Sequence, residues 1–306
     1  MLSVCIITKN EEKKLKRCLE SLFPYPFEII VTDTGSTDGT LTMLQELQQG
    51  RTGAAVLKVE QFPWCNDFAA AKNAAISFAT QEYVLVLDSD EYVTKLDFLQ
   101  LQKLIKENPQ KVGRILRKNA VEENGQILYQ VERLNRFFPK ALYHYEGKIH
   151  EQVVAFSGEE YPTYFVPVEI EHDGYLGSPE EKREKAYRNV RLLELELQEK
   201  GADPYLYYQL GSSYYMAGEY EEAVSYYAKG LSFDLDPKLE YVGNMVENYG
   251  YALIKSGHQE EALSFQGIEN EFGSVADFHI LMGFIYMNNE MFREAVEEFL
   301  RATQYT

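Results

Sequence analysis

The sequence predicts an α/β domain, built on a mostly parallel sheet flanked by helices, followed by an all-helical module. Short apolar runs rich in β-forming residues alternate with helical patterns over residues 1–112, which is typical of a parallel sheet covered by helices. A pattern of Gly, Ala and aromatic residues recurs over residues 201–306. Recurrence at a nearly fixed interval is typical of stacked helical repeats.

The sheet domain has four predicted strands and three predicted helices. The strands cover residues 3–8, 28–32, 55–59 and 83–87, and the helices cover residues 11–22, 39–48 and 68–78. From residue 113 to about residue 173 the pattern becomes an irregular lobe of short strands, with a hairpin turn signal at residues 123–126. Because parallel sheets bind ligands at the carboxyl ends of their strands, we expect the site in the loops after Thr8, Thr32 and Leu87.

The repeat pattern centres on Gly211, Gly250 and Gly283, which lie 39 and 33 residues apart and are each followed 12 residues later by Ala. These intervals are close to the roughly 34 residues of the tetratricopeptide repeat, so we predict about three such repeats. The chain stops inside the third repeat without a polar capping helix, and we expect either a partner subunit or further sequence to cover that end. The predicted domains are residues 1–175 for the sheet, 176–200 for a linking helix and 201–306 for the repeats.

Composition disfavours several classes of function. The chain has 30 Lys and Arg against 48 Asp and Glu, and its formal charge of -18 disfavours nucleic-acid binding because phosphate backbones are repelled. The three cysteines, an odd number without C-x-x-C spacing, predict neither a disulfide framework nor a zinc site. The sequence shows no secretion signal and no run of roughly 20 apolar residues, so we expect a cytoplasmic protein with no integral membrane segment.

Two carboxylates directly follow the fourth predicted strand. Asp88 and Asp90, with Ser89 between them, come after the apolar run at residues 83–87. At a strand end they can hold Mg²⁺ or Mn²⁺, which neutralises charge on a departing nucleoside diphosphate. The alternative is a solvated turn that binds no ligand.

The second predicted strand ends at another candidate side chain. Asp33 emerges at the strand tip, where it can accept hydrogen bonds from a ribose or a base. Asp38 is better explained as a cap of the following helix. Thr8, Asn10 and Glu11 occupy the same layer after the first strand, so the backbone there can face a nucleotide.

Four segments of the sheet domain form one combined pattern. They are K-N-E-E at residues 9–12, D-T-G-S-T-D-G-T at residues 33–40, F-P-W-C-N-D-F-A-A-A-K-N at residues 62–73 and L-D-S-D-E at residues 87–91. Together they resemble the family 2 glycosyltransferases of the GT-A fold, over roughly residues 1–175. The appended repeats resemble a branch of bacterial members with C-terminal tetratricopeptide repeats, which includes the sublancin-type peptide S-glycosyltransferases.

The resemblance implies roles for individual residues. Thr8, Asn10 and Asp33 would hold the uridine of a UDP-sugar, with Glu11 and Ser89 as further donor-binding residues. Trp64 and Asp67 would line the donor pocket, Lys72 would meet the nucleotide or diphosphate, and Asp88 and Asp90 would form the Mn²⁺ or Mg²⁺ motif. Asp90 is the expected direct metal ligand, and Trp64 can equally be a core residue. Many relatives have a second Asp directly after the one at position 33, whereas this chain has Thr34.

The segment at residues 145–152 resembles the region that carries the catalytic carboxylate in this family. Glu151 is the candidate base and His150 the alternative. Inverting transfer needs a group that takes the acceptor proton while the acceptor attacks the anomeric carbon. Further along the chain, His172 lies in the segment E-H-D-G-Y and is either a further metal ligand or a structural residue.

The combined prediction is a metal-dependent inverting glycosyltransferase that moves a hexose or N-acetylhexosamine from a UDP-sugar to a peptide or protein acceptor. The repeats would bind that acceptor or form a homodimer, and their 17 acidic against 5 basic side chains favour a basic segment in the acceptor. One alternative keeps the chemistry and takes a cell-envelope glycan or a lipid-linked acceptor. The other is an inactive glycosyltransferase-like scaffold whose repeats recruit partners.

Overall fold

The computed structural model describes residues 2–50, 54–123, 126–172 and 178–305. The chain forms two compact units, Met1–Ser178 and Pro179–Thr306. Residues 124 and 125 of the predicted hairpin turn, and residues 176 and 177 at the start of the predicted linking helix, lie outside the described residues. Within the described ranges, every helix is too short or too polar to cross a membrane.

The first unit contains the sheet. Its strands are β1 (Leu2–Thr8), β2 (Glu28–Asp33), β3 (Val56–Gln61), β4 (Tyr83–Asp88), β5 (Glu91–Leu96), β6 (Val112–Glu123), β7 (Gln126–Pro139), β8 (Tyr143–Glu146), β9 (Gln152–Ala155) and β10 (Thr163–His172). Its helices are α1 (Glu12–Leu22), α2 (Thr40–Gln49), α3 (Phe68–Phe78) and α4 (Phe98–Glu107).

Eight strands form one sheet in the order β3-β2-β1-β4-β7-β6-β10-β5, and β8 pairs with β9 separately. The first four strands in that order are parallel to one another, which confirms the predicted α/β architecture. β7 is antiparallel to both β4 and β6, and β10 is parallel to β6. The predicted irregular lobe therefore contains three long strands, β6, β7 and β10, that extend the main sheet, instead of short strands only.

Helices cover both faces of β1, because its apolar side chains alternate between the two faces. Val4 and Ile6 share one buried core with Leu19 of α1. Cys5 lies on the opposite face and shares a second core with Ala71 of α3. The alanines of α3 are small, so this helix lies close to the sheet and brings its polar residues near the strand ends.

Glu28, at the start of β2, anchors the edge of the sheet opposite the strand carboxyl ends. It is 8% exposed and accepts hydrogen bonds from Lys58 Nζ at 2.6 Å, from the Ser3 hydroxyl and from the Thr80 N–H. Although burial opposes it, these bonds, led by the one from Lys58, lower the pKa of Glu28 to about 2.

We expect Glu28→Gln to lower the free energy of unfolding by roughly 2 kcal/mol at neutral pH, because a carboxylate with a lowered pKa stabilises the folded state while it is ionised. That contribution is complete above the ordinary pKa of 4.5 and is lost as the pH falls toward about 2. Urea unfolding of both proteins at pH 7 and pH 3 measures it. An equal difference at the two pH values would contradict the prediction.

The second unit is all-helical. Its elements are α5 (Pro179–Lys200), α6 (Pro204–Ala217), α7 (Tyr220–Leu231), α8 (Glu240–Lys255), a 3₁₀ segment (Glu261–Ile268), α9 (Glu269–Phe272), α10 (Ala276–Asn288) and α11 (Phe292–Ala302). α6 begins at the Asp203 cap, whose carboxylate accepts the Leu206 N–H, and ends at Gly218 in the left-handed conformation. These are the start and stop signals expected of a helix in a repeat.

The repeated glycines lie where helices cross closely. A Cβ at Gly211 would come within 2.6 Å of the Tyr227 ring, and a Cβ at Gly283 would clash with the Phe299 ring. Each ring lies 16 residues after its glycine. In the second repeat the equivalent position is Gln266, and the segment around it is a 3₁₀ helix. A Cβ at Gly250 would instead come within 2.7 Å of the Leu281 side chain, so this glycine also lies at a close helix contact.

Candidate active site

The predicted loops meet at one edge of the sheet. Thr8 at the end of β1 pairs with Asp33 at the end of β2, and Ile7 pairs with Asp88 at the end of β4. Since these strands are parallel neighbours, their carboxyl ends present Thr8, Asp33 and Asp88 side by side.

The loop after β2 is organised by Asp33. This side chain is 3% exposed, and its carboxylate accepts the N–H groups of Gly35 at 3.0 Å and of Ser36 at 3.1 Å. Thr34 Oγ1 donates to the Thr8 carbonyl at 3.0 Å, which ties the ends of β1 and β2 together. Thr8 Oγ1 is itself buried and has no hydrogen-bond partner among the described residues, so a ligand could supply one.

Asn10 joins the loop after β1 to the loop after β2. Its backbone is left-handed, with φ 56°, a conformation that Asn tolerates better than most residues. Its side-chain oxygen accepts the Thr37 N–H at 2.7 Å, and its own N–H donates to Ser36 Oγ at 2.9 Å. The Glu11 N–H donates to Thr40 Oγ1. Asn10 and Glu11 therefore lie beside the Asp33 loop.

Trp64 and Asp67 lie before α3. The Asp67 carboxylate accepts the Ala70 N–H at 2.8 Å and caps the helix. Trp64 is half-buried, packs edge-on against Phe68 with ring centroids 4.8 Å apart, and donates to the Asn66 side-chain oxygen. These contacts give both residues a structural role at the start of α3.

A buried charge network lies behind the strand ends. Lys72 of α3 is 2% exposed, and its Nζ lies 2.7 Å from Asp88 Oδ1 and 2.5 Å from Glu151 Oε1. Arg136 Nη2 lies 2.9 Å from the other Asp88 oxygen. Lys72 therefore joins Asp88 of the predicted metal motif to Glu151, the candidate base. Glu151 lies 79 residues after Lys72 in the sequence.

The charged forms of Asp88 and Lys72 are each stabilised by neighbouring groups of opposite charge. Although burial opposes it, Arg136 and then Lys72 hold the pKa of Asp88 well below its usual value. Burial and the nearby Arg136 favour the neutral amine of Lys72, but Asp88 and Glu151 raise its pKa above the ordinary value. Asp88 and Lys72 are consequently charged near neutral pH.

Contacts of α3 bring the Glu151 loop to Lys72. The Phe68 N–H donates to the Lys148 carbonyl at 2.8 Å, and the Asn73 amide exchanges two hydrogen bonds with the backbone of Tyr145. Gly147, with φ 99°, makes the turn between them because glycine adopts this conformation without strain.

Glu151 and His150 occupy different environments. Glu151 has a 12% exposed side chain that contacts Lys72, whereas His150 is exposed and has φ 53°. Both lie between β8 and β9 at the same edge of the sheet domain as the charge network. The carboxylate is the one of the two that is fixed by a buried partner.

Asp90 and His172 form a separate pair. His172 ends β10 and is 6% exposed, and its Nε2 lies 3.3 Å from Asp90 Oδ2. Ser89 is half-buried in the turn between Asp88 and Asp90. The structure therefore brings the predicted metal-ligating histidine to Asp90 and holds Asp88 against two cations.

The Asp90–His172 spacing fits two neighbouring ligands of one metal ion. An octahedral ion with bonds of about 2.0–2.1 Å separates adjacent ligand atoms by roughly 3 Å. Among the described residues, no group of three or more His, Cys, Asp or Glu side chains lies close enough together to hold a metal ion. Two protein ligands are sufficient for a metal that is also held by substrate phosphates.

Arg136 was missed by the sequence reasoning. It interrupts the apolar end of β7, where Phe137 and Phe138 follow it and are fully buried. A charged residue directly before two buried aromatic residues was the available signal. Its partner Asp88 is 48 residues away, so only the pairing of β4 with β7 reveals the contact.

Two family models match the chain. The model for Glycosyl transferase family 2 matches residues 3–158, just over half of the sequence. The chain belongs to glycosyl transferase family 2. The match confirms the resemblance and the class of enzyme, and a tetratricopeptide repeat model matches residues 204–236 of this glycosyltransferase.

Several curated proteins match half to three quarters of this glycosyltransferase. Glycosyltransferase SunS of Bacillus phage SPbeta is 27% identical over 236 residues, which cover 74% of this chain and 52% of SunS. A TPR repeat-containing protein of Synechococcus elongatus is 31% identical over 240 residues, 75% of this chain and 56% of that protein. The lipopolysaccharide core biosynthesis glycosyltransferase LpsC of Rhizobium meliloti is 31% identical over 158 residues, 50% of this chain and 57% of LpsC. The chain spans about half the length of these relatives.

Among solved structures, the crystal structure of S. aureus TarS aligns with 97% of this glycosyltransferase and 54% of TarS, at 16% identity and a TM-score of 0.43. A crystal structure of TarS residues 1–349 in complex with UDP-GlcNAc aligns with 99% of this chain and 89% of that one, at 15% identity and a TM-score of 0.41.

Proposed function

We propose that this glycosyltransferase is a metal-dependent, inverting enzyme that moves a sugar from a UDP-sugar to a peptide or protein acceptor. One observation carries the proposal: the Asp90–His172 pair and the Lys72-linked carboxylates Asp88 and Glu151 lie at the same edge of the sheet. A transferase needs groups for the leaving diphosphate and a base for the acceptor within reach of one sugar.

Donor binding is assigned to the loops after β1 and β2. Thr8, Asn10, Glu11 and Asp33 would hold the uridine, and the unpartnered Thr8 hydroxyl supports a polar ligand there. Trp64 and Asp67 would line the pocket from the start of α3. The hydrogen bonds between the two loops hold this surface in place before the donor arrives.

Asp90 and His172 would hold Mn²⁺ or Mg²⁺. When bound, the ion neutralises charge on the departing UDP. Both Asp88 oxygens contact cations, so we assign Asp88, with Ser89, to positioning the loop that carries Asp90. A direct Asp88–metal bond would require the carboxylate to leave Lys72 or Arg136.

Glu151 would take the proton of the acceptor as the acceptor atom attacks the anomeric carbon from the side opposite UDP. This single displacement inverts the anomeric configuration. Lys72 is buried between Asp88 and Glu151, so we propose that it holds both carboxylates in position. Its effect on the diphosphate is then indirect, because Asp88 positions the loop that carries Asp90. The alternative base His150 would act from the exposed side of the same loop.

The repeats support a peptide or protein acceptor. Helical repeats of this kind offer extended surfaces for chains, and their excess of acidic side chains favours a basic acceptor segment. A cell-envelope acceptor is the second candidate, because the relative LpsC is named for lipopolysaccharide core biosynthesis.

Donor binding tests the metal site. With a UDP-sugar and Mn²⁺ at about 100 times the dissociation constant, the folded state gains roughly 2.7 kcal/mol, which a thermal shift assay detects. We expect one donor of a UDP-sugar panel to give this shift, and we expect Asp90→Ala to lose it. Asp277→Ala is the matched control, since Asp277 is an exposed residue of α10. A shift that survives in Asp90→Ala would contradict the metal assignment.

The acceptor is tested with the radiolabelled donor that gives the shift. Label on protein or peptide in a cell extract supports the proposal, whereas label confined to the lipid extract supports the cell-envelope candidate. If no donor of the panel binds with or without metal, the inactive scaffold becomes the better explanation.

A further inference from the structure

We propose that Asn119 and Glu132 position His172 for metal binding by fixing the imidazole proton on Nδ1. The inference rests on the proposed metal site at Asp90 and His172, and it assigns positioning roles to two residues outside the motifs of the sequence. Asn119 lies on β6 directly opposite His172 of β10. Glu132 lies on β7, the other neighbour of β6.

The hydrogen bonds form a chain that begins at His172. Its Nδ1 lies 2.9 Å from the side-chain oxygen of Asn119, which is 4% exposed. The Asn119 amide nitrogen donates to Glu132 Oε1. The same oxygen accepts from Arg117 Nε at 3.0 Å and Nη2 at 2.8 Å.

The direction of each hydrogen bond follows from the charge of Glu132. Although burial opposes it, Arg117 first and Asn119 next lower the pKa of Glu132, so it is an ionised carboxylate that can only accept. Asn119 must turn its N–H₂ group toward Glu132, and its carbonyl oxygen then faces His172. Because an amide oxygen has no proton, Nδ1 of His172 carries the hydrogen.

This arrangement prepares the other ring nitrogen. A metal ion binds the imidazole nitrogen that carries no proton, and Nε2, the nitrogen of His172 that does not face Asn119, lies 3.3 Å from Asp90 Oδ2. Metal-binding histidines commonly donate their second N–H to a carbonyl or carboxylate, and the loss of such a partner costs roughly 10- to 100-fold in affinity.

The same network also reaches the Asp88–Asp90 loop. Arg117 Nη1 lies 3.0 Å from Glu91 Oε1, and the fully buried Glu91 accepts the Asp88 N–H at 2.9 Å. Arg117 therefore connects the hydrogen-bond chain that begins at His172 to the backbone of the loop that carries Asp90. The two proposed metal ligands are thus held by one network of hydrogen bonds.

The test uses metal binding and proton position, independently of turnover. Mn²⁺ binding in the presence of UDP is measured by electron paramagnetic resonance, and the tautomer of His172 is read from ¹⁵N spectra of histidine-labelled, metal-free protein, with His172→Gln to assign the signal. We expect the Nδ1–H tautomer in the wild type. We expect Asn119→Leu to lose this preference and to weaken Mn²⁺ binding roughly 10- to 100-fold.

Two further variants control for folding. Asn135→Leu removes a side-chain amide of β7 that donates to the Tyr161 hydroxyl at 3.2 Å, and it should leave Mn²⁺ affinity unchanged. The double variant Asn119→Asp with Glu132→Gln exchanges donor and acceptor but keeps an oxygen on Nδ1 and the same net charge. It should restore most of the affinity lost in Asn119→Leu.

The outcomes separate this inference from the proposed function. If the wild type does not bind Mn²⁺ with UDP, the metal site itself fails and the inference fails with it. If the wild type binds Mn²⁺ and Asn119→Leu binds it equally well, the metal site stands and the positioning role is overturned. An Nε2–H tautomer in the wild type also overturns the positioning role.

Discussion

We expect Glu151→Gln to lower kcat for sugar transfer by about 10²- to 10⁴-fold, the range typical of losing a general base. Gln has nearly the same shape but takes no proton from the acceptor. The Glu151 side chain is 12% exposed and contacts Lys72, so it is held in one place. The measurement is kcat with the acceptor saturating, together with the thermal shift given by the donor.

The matched control is His150→Gln, which changes the adjacent candidate base. Because His150 is exposed and Glu151 carries the buried contact, we expect His150→Gln to change kcat by only a few-fold. Donor binding should be similar in both variants. A large loss in His150→Gln with little loss in Glu151→Gln would assign the base to the imidazole.

The parallel half of the fold could be predicted from the sequence because its signals are local. β1, β2 and β4 are short apolar runs that are buried along almost their whole length, and the residue that follows each run is polar. The rule that ligands bind at strand carboxyl ends then places Thr8, Asp33 and Asp88 at one edge. These side chains do lie on adjacent strands.

The antiparallel half could not be predicted in the same way. β6 and β7 are long and carry charged residues such as Arg117 and Glu132, which reads as an irregular surface lobe. Those charges pair with each other and with Glu91, so they are satisfied inside the sheet. Only the pairing of distant strands shows that they support the site.

Thr34 departs from the family pattern, and the structure gives a reason for the departure. The resemblance predicts a second acid after Asp33 in many relatives, and this chain has Thr there. Its hydroxyl donates to the Thr8 carbonyl, so it closes the gap between two strand ends. A carboxylate at this position could not donate that hydrogen bond.

Replacing Lys72 by Met is expected to lower the free energy of unfolding by about 3–5 kcal/mol, the cost of leaving a buried charge without its partner. Lys72 is 2% exposed and contacts both Asp88 and Glu151. A lysine with a raised pKa stabilises the folded state fully below its ordinary value of 10.5. The loss should therefore be the same at every pH from about 6 to 9.

The control for Lys72→Met is Lys95→Met, which removes a lysine that is 73% exposed and pairs with Glu169. We expect this surface pair to contribute no more than about 1 kcal/mol. The double variant Lys72→Met with Glu151→Gln removes both charges of one contact, so it should be more stable than Lys72→Met alone by roughly 1–2 kcal/mol. Chemical unfolding of the four proteins measures these differences. If the double variant is no more stable than Lys72→Met, Glu151 does not depend on Lys72, and the proposed link between the donor-side loop and the base is wrong.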